Sequence, residues 1–437
     1  MFVVQLLIVL LALYFGSRYG SLALGAISGI GLAVLVFVFG LQPGTPPTDV
    51  IYIIIAAITC ASCLQAAGGM DWLIQLAERL LRKHPQRITF FAPFCTFFLT
   101  VFVGTGHVVY TLMPIIADIA LKKGIRPERP CAVSSIASQI GITCSPIAAA
   151  VVAFTTISAA NGFDVTIPQV LLVTLPSSII GLMMAALVSF KRGKDLDKDP
   201  DFQKRIADPK TREAMYGSDA TTLNKEITRS AMTSVFIFLA AIVSIILMAA
   251  FRFERVKMNL VIQIVMLVAA ALMIIISKAK PADATSGSVF RSGMVAVIAI
   301  YGIAWMADTF FGGYMDQMKE SLGGIVAEAP WTISVIFFLV SILLNSQGAV
   351  VVSMLPLAYS LGIPGPILLG ALPSVYGYFF IPTYPSDIAT VHFDRSGTTK
   401  IGKYLLNHSF MLPGLVSVIT ATIVALAISC SVFSDLL

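Results

Sequence analysis

Long apolar runs, punctuated by short charged or glycine- and proline-marked stretches, make up most of the chain. Runs at 21–41, 167–190, 230–251 and 258–277 reach or exceed the roughly 18 to 20 residues a helix needs to cross the hydrocarbon layer. Helices are the expected spanning form, because lipid offers backbone amides no partner. The first run, 1–15, has no basic leader and no small-residue cleavage site, so it reads as a retained span.

The punctuation repeats. Gly68-Gly69-Met70-Asp71 opens a polar amphipathic stretch that ends at Pro85, and Gly312-Gly313-Tyr314-Met315-Asp316 opens another that ends at Pro330. An apolar segment follows each time, then a polar interruption: Gly104-Thr105-Gly106-His107 in one copy, Asn345-Ser346-Gln347-Gly348 in the other. Both lead to a Met-containing proline site, Leu112-Met113-Pro114 and Met354-Leu355-Pro356. So many breaks in one order point to an internal duplication. The first repeat covers 1–190, with helices to 67, an amphipathic helix at 70–84, a hairpin at 88–121, a broken helix at 131–160 and a helix at 167–190. A loop at 191–229 precedes the second repeat, 230–437, with its hairpin at 331–360, broken helix at 366–393 and last helix at 409–433.

Composition makes the solvent plain: 57% of residues are hydrophobic and 12% charged, about half the charged share of a soluble domain. In a soluble protein the net charge of +6 would suggest nucleic acid or another anionic partner; here the placement of charge says more, and no nucleic-acid partner is expected. Short cytoplasmic loops collect Lys and Arg. Arg79, Arg82, Lys83 and Arg87 precede 88–121, and Lys122, Lys123, Arg126 and Arg129 follow it. Both ends then lie on the cytoplasmic side, and the segment enters and leaves on one face as a re-entrant hairpin. The repeat predicts a matching hairpin from outside. Ten spans, two hairpins and two periplasmic termini leave only Arg252, Arg255, Lys257 and Lys319 outside among the 29 basic residues. The first repeat begins outside and the second inside, so the predicted fold is an all-α polytopic membrane protein of two inverted-topology repeats. The loop at 191–229 mixes acidic and basic residues and reads as a solvated linker, with a regulatory role as the alternative.

Each hairpin is followed by a segment interrupted by proline: Thr143-Cys144-Ser145-Pro146, and Pro382-Thr383-Tyr384-Pro385-Ser386-Asp387. Proline removes an amide donor and clashes with the preceding turn, so unwinding is expected there. Half-helix amino termini suit an anionic ligand, and freed carbonyls suit cations. The predicted binding residues are therefore Gly104, Thr105, Gly106, His107, Thr143, Ser145, Pro146, Asn345, Ser346, Gln347, Gly348, Thr383, Tyr384, Pro385 and Ser386. His107 reads either as a site residue or as a hydrogen-bonded helix histidine. Asp387 is the one acid expected deep in the membrane, where it serves coupling or regulation or simply pairs with a local hydroxyl. Asp118 and His392 are expected near span ends. Cys60 and Cys63 form a C-x-x-C with no second pair, which reads as packing, and no metal or cofactor is expected. No basic residue falls mid-span, so an anion would be held by amides, hydroxyls and helix dipoles. Importing a dianion against an inside-negative potential costs about 2.3 kcal/mol per charge per 100 mV. Exchange for another dianion, or coupling to protons or sodium, would offset this.

Gly104-Thr105-Gly106-His107, Arg126-Pro127-Glu128-Arg129-Pro130, Tyr301-Gly302-Ile303-Ala304-Trp305, Pro382-Thr383-Tyr384-Pro385-Ser386-Asp387 and Phe393-Asp394-Arg395-Ser396-Gly397 carry a resemblance. Along nearly its whole length the chain resembles the anaerobic C4-dicarboxylate transporters of the Dcu family, nearest to its DcuB type. The resemblance implies an inner-membrane exchanger that takes up fumarate, malate or aspartate and releases succinate. The wider fold group it resembles, the ion transporter superfamily, implies homodimers and an elevator-like movement. Some relatives also act with a membrane sensor kinase, through a region resembling that around Thr383 and Asp387. Where relatives of this type can carry lysine shortly before Asn-Ser-Gln, this chain has Ile342, a departure that bears on the sensory role rather than on transport. Transport of arsenite, sodium–proton exchange, and a sensory subunit without flux are the alternatives. An intramembrane enzyme is disfavoured, because the spans hold no H-E-x-x-H motif and no convincing nucleophile and base pair.

Overall fold

The computed structural model describes residues 1–19, 21–217, 220–251, 256, 258–382, 384–403 and 406–436. Its first half runs α1 (Phe2–Tyr19), α2 (Ser21–Ala33, extended by a π-turn Val34–Val38), α3 (Thr48–Ala66), α4 (Gly69–Lys83), α5 (Ile88–Val103), α6 (Val109–Lys122), α7 (Glu128–Ile140), α8 (Ala149–Ala160) and α9 (Ile167–Phe190). Two short helices, α10 (Pro200–Ile206) and α11 (Pro209–Tyr216), occupy the central loop. The second half runs α12 (Arg229–Ala250), α13 (Met258–Ile275), α14 (Pro281–Ser286), α15 (Ser288–Glu328), α16 (Ile333–Leu344), α17 (Gln347–Ser360), α18 (Gly365–Ala371), α19 (Pro385–Phe393) and α20 (Met411–Val432). Among the described residues no strand forms beyond one isolated bridge between Ile401 and His408.

The protein is an all-α, multi-pass membrane protein. Among the described residues, six helical stretches are long and apolar enough to cross a bilayer, or seven if the bent pair α3 and α4 counts as one. The expectation of ten spans is larger; further apolar helices, among them Leu22–Val38, Leu260–Ile275 and Gly365–Val375, fall short of the length needed to qualify alone. The halves pack on each other where α9 lies along α20, α2 crosses α15 and α3 meets α13, while α5 lies on α7 within the first half. Glycines set the α2–α15 crossing: a Cβ on Gly302 would collide with the Gly25 backbone, so the two helices touch main chain to main chain.

At the end of α3, Gly68 takes a left-handed conformation (φ +82°) and the chain bends by 70° into amphipathic α4. α4 also holds the inter-half loop. Its fully buried Glu78 carboxylate accepts from Thr221 Oγ1 (2.6 Å), Thr222 N–H (2.8 Å) and Arg82 Nε (2.7 Å). That loop is less solvated than its charge suggested. Leu196, Phe202 and Met215 bury against Leu121 of α6 as a small core of their own.

The second half departs from the predicted repeat here. Gly312 and Gly313 do not set off a separate amphipathic helix; they lie inside α15, which runs unbroken for 41 residues. A glycine in a helix costs only about 1 kcal/mol relative to alanine. Neither residue takes a positive φ, so nothing local forces a break.

Candidate functional site

The two hairpin tips begin with the same backbone. α5 stops on left-handed Gly104 (φ +78°, ψ 8°), followed by extended Thr105 (φ −145°, ψ 144°). α16 stops on left-handed Asn345 (φ +49°, ψ 25°), followed by extended Ser346 (φ −154°, ψ 114°). A left-handed residue ends a helix, and glycine and asparagine are the residues that adopt it most readily. The next hydroxyl caps the returning chain. Ser346 Oγ accepts from Ala349 N–H at 3.3 Å, and Thr105 Oγ1 makes a longer contact with His107 N–H at 3.5 Å.

Both broken helices unwind where proline was read. α7 tightens into a 3₁₀ turn, Gly141–Cys144, before extended Ser145, and α8 begins only after Ala148. α18 likewise tightens into Leu372–Val375, after which 376–382 is non-helical, and Pro385 starts α19.

The tips meet in one cavity of about 550 Å³, within the size range of small-molecule sites. Of the predicted residues, Gly104, Thr105, His107, Asn345, Ser346, Gln347, Gly348, Tyr384 and Pro385 line it. Apolar walls come from α3 (Ile54, Ala57, Ile58) and α15 (Ala296, Ala299, Ile300). Gly106, Thr143, Ser145, Pro146, Ser386 and Asp387 are not in the lining. Gly106 packs so closely on Gln139 that a Cβ there would collide. Thr143 Oγ1 donates to Ile140 O at 3.0 Å, while Ser145 sits behind Gly104, its buried hydroxyl without a hydrogen-bond partner. Asp387 accepts from Ser135 Oγ at 2.6 Å, one layer behind the cavity. Thr383 lies outside the described residues.

A buried polar network ties these parts together, and its centre was not anticipated. Gln347 Nε2 donates to the backbone carbonyl of Gln139 at 2.7 Å. Tyr378 O–H donates to Gln139 Oε1 at 2.8 Å. Gln139 Nε2 donates to Ser138 Oγ (3.1 Å) and Ser386 Oγ (3.4 Å). Gln139, at the end of α7, therefore touches both tips and the second break. Its carboxamide sits among small residues with no punctuation to flag it; Tyr378, in the aromatic run before Pro382, carried a weak signal. The ring of His107 stacks on Tyr110 with centroids 5.7 Å apart. Asn345 Oδ1 and Gln347 Oε1 are buried without a hydrogen-bond partner, which leaves acceptors at the second tip unused by the protein.

The surroundings of two charged residues were not legible. Asp118 lies one turn from the end of α6, as expected, but is fully buried and binds Lys122 Nζ at 2.9 Å and Arg395 at 2.5 Å. Burial of this kind holds when partners satisfy the carboxylate. Arg291, counted only among the basic residues of the cytoplasmic side, lies in the first turn of α15 and lines the cavity. Among the described residues no group of three or more His, Cys, Asp or Glu side chains is placed to hold a metal ion.

A multi-pass helical protein whose helix breaks converge on a single cavity has the architecture of a membrane transporter. The chain belongs to the family described as anaerobic C4-dicarboxylate membrane transporter, which matches residues 1–433. It is 47% identical over 428 residues to the anaerobic C4-dicarboxylate transporter DcuB of Escherichia coli O6:H1, covering 96% of each chain. It is 37% identical to DcuA of Escherichia coli K12, covering 96% of this chain and 97% of that one. DcuA of Wolinella succinogenes is 36% identical, with 96% of each chain covered. Among solved structures, MtrF of Neisseria gonorrhoeae superposes with a TM-score of 0.56 at 13% identity, covering 94% of each chain, a likeness of fold alone. The family is one of transporters and not of enzymes.

Proposed function

We propose that this protein exchanges C4-dicarboxylates across the bacterial inner membrane during anaerobic growth, taking in fumarate, malate or aspartate and releasing succinate. The observation that carries the reading is the meeting of both hairpin tips in one cavity, in a chain that shares 47% of its residues with DcuB. The two carboxylates are bound by tip amides and hydroxyls of Thr105, Asn345, Ser346 and Gln347, together with the start of α19 at Tyr384 and Pro385. Of the other predicted residues, Gly104, His107 and Gly348 complete the lining, while Gly106, Thr143, Ser145, Pro146 and Ser386 act from behind by fixing the breaks; Thr383 is proposed for binding, coupling or regulation with Asp387. Asp387, held by Ser135, serves coupling or regulation rather than direct binding.

The halves are inverted repeats, with ten spans, both termini periplasmic, and α5–α6 and α16–α17 as re-entrant hairpins. By length and composition Pro85–Val103 would itself cross a bilayer. Its assignment as one arm of a hairpin rests instead on the basic residues at both flanks of 88–121 and on the tip at Gly104. The protein works as a homodimer by an elevator-like movement, and a loaded carrier alone crosses. Proteoliposomes preloaded with labelled succinate test this. Efflux is expected to require external fumarate or malate, and equal efflux into buffer without dicarboxylate would reject exchange. Sodium or proton gradients applied in the same assay decide the coupling ion. Labelling of Lys83 and Lys122 from one face only is the expected topology; labelling from opposite faces would remove the first hairpin.

A further inference from the structure

We infer that Arg291 is a capture residue at the cavity mouth, drawing dicarboxylates toward the tips without holding them there. The inference rests on the dicarboxylate reading of the cavity. Arg291 is exposed, as are Ser288 and Pro385, so the cavity opens where these three line it. The deeper lining is closed: Gln347, Gly348, Ala299 and Ile300 are buried. Arg291 is the one cationic side chain of fixed charge among the lining residues; His107, the other basic group, sits at the tip.

Its position is locally unfavourable for a structural residue. A cation in the first turn of a helix opposes the macrodipole, and anions are favoured there instead. α15 is already secured at this end without it. Gln65 Oε1 accepts from Val289 N–H at 3.1 Å, and Gln65 Nε2 donates to Ser288 Oγ at 2.7 Å. The arginine charge and the helix end thus add to one positive field at an open mouth, the arrangement that raises anion encounter rates.

Distance separates capture from binding. Ile300, whose side chain packs beside Gly348 at the second tip, lies roughly 14 Å further along α15 at about 1.5 Å per residue. A four-carbon diacid has carboxyl carbons only about 4 Å apart, from C–C bonds of about 1.5 Å. The diacid alone does not bridge that interval; a carboxylate seated at the tip meets the guanidinium only if the arginine side chain extends toward it.

The test compares wild type, Arg291→Gln and Arg291→Lys in vesicles of both orientations, with labelled succinate as probe. With the Arg291 face outward, expected to be inside-out vesicles, Arg291→Gln should raise the half-saturating concentration about 3- to 10-fold at low salt while the maximal rate holds. The gap should close near 0.5 M salt, where the screening length falls to about 4 Å. Arg291→Lys should stay within about 2-fold of wild type, since steering needs charge rather than a planar fork. Equal half-saturation in Arg291→Gln and wild type at low salt would overturn the inference, as would a lysine variant as impaired as the glutamine one. Should the glutamine variant fail to insert, a wild-type half-saturation insensitive to salt on that face overturns it too. Absence of dicarboxylate exchange in wild type would instead sink the proposed function.

Discussion

The two hairpin tips solve one backbone problem with different chemistry. Each needs a left-handed residue followed by an extended one, and the first tip supplies glycine where the second supplies asparagine. At Gly104 the neighbouring break leaves no room: a Cβ would sit 2.8 Å from Ile147 Cγ1 and 3.4 Å from Ser145 Oγ. At Asn345 the side chain lines the cavity; its buried Oδ1 is an acceptor and offers nothing to a carboxylate, so its Nδ2 is the group that can donate to one. One tip is therefore shaped by contact and the other carries a side-chain donor, although both line the same cavity. Pseudo-symmetry in the backbone does not carry over to the chemistry of the side chains.

That contrast can be broken at several points, beginning with the largest effect. Gly104→Val should all but abolish uptake, because a β-branched residue meets both the left-handed penalty of about 1–2 kcal/mol and collision with Ile147; near-normal uptake would show that the first tip is not sterically set. Asn345→Gly keeps the backbone and deletes the carboxamide. Thermal stability should hold while uptake falls about 10- to 100-fold, equivalent to a hydrogen-bonding loss of about 1.5–3 kcal/mol. A parallel loss of stability would make Asn345 structural instead. Gln139→Leu removes the acceptor for Tyr378 and the donor to Ser386 while keeping the main-chain acceptor for Gln347, and should cost about 1–3 kcal/mol, seen as a lower melting temperature and an uptake rate reduced about tenfold. An unchanged melting temperature would mean that the network is not what holds the tips to the breaks. The smallest effect concerns the other matched glycines: Gly312→Ala, with open space around it inside α15, should stabilise by up to about 1 kcal/mol. Gly68→Ala should destabilise by about 1 kcal/mol, because φ there is +82°. Equal shifts in the two would erase the difference between the halves.

The breaks were legible because their causes are local. Gly104, Asn345, Pro146 and Pro385 each restrict or release the backbone within a residue or two, and the structure interrupts its helices at all four places. What could not be read depends on distant partners. Gln139 looks like any polar residue in a helix of small side chains until Gln347 and Tyr378 arrive from more than 200 residues away. The unbroken α15 was hidden for a related reason: Gly312-Gly313 copies the spelling of Gly68-Gly69, but only Gly68 takes a positive φ. Arg291 was counted only as cytoplasmic charge, since its sign placed it on a face of the membrane without revealing what it overlooks. The order of Phe202 and Met215 escaped notice because so few apolar residues stand among the charges of that loop.

The tie between Asp118 and Arg395 has a mechanical consequence. It rivets the outgoing arm of the first hairpin to the foot of the second broken helix, with Lys122 as a second pin. Any displacement that leaves this rivet closed must carry α6 and α19 as a single slab. The elevator-like movement proposed above would then slide where the cavity meets α3 and α15, at small side chains such as Ala57 and Ala296.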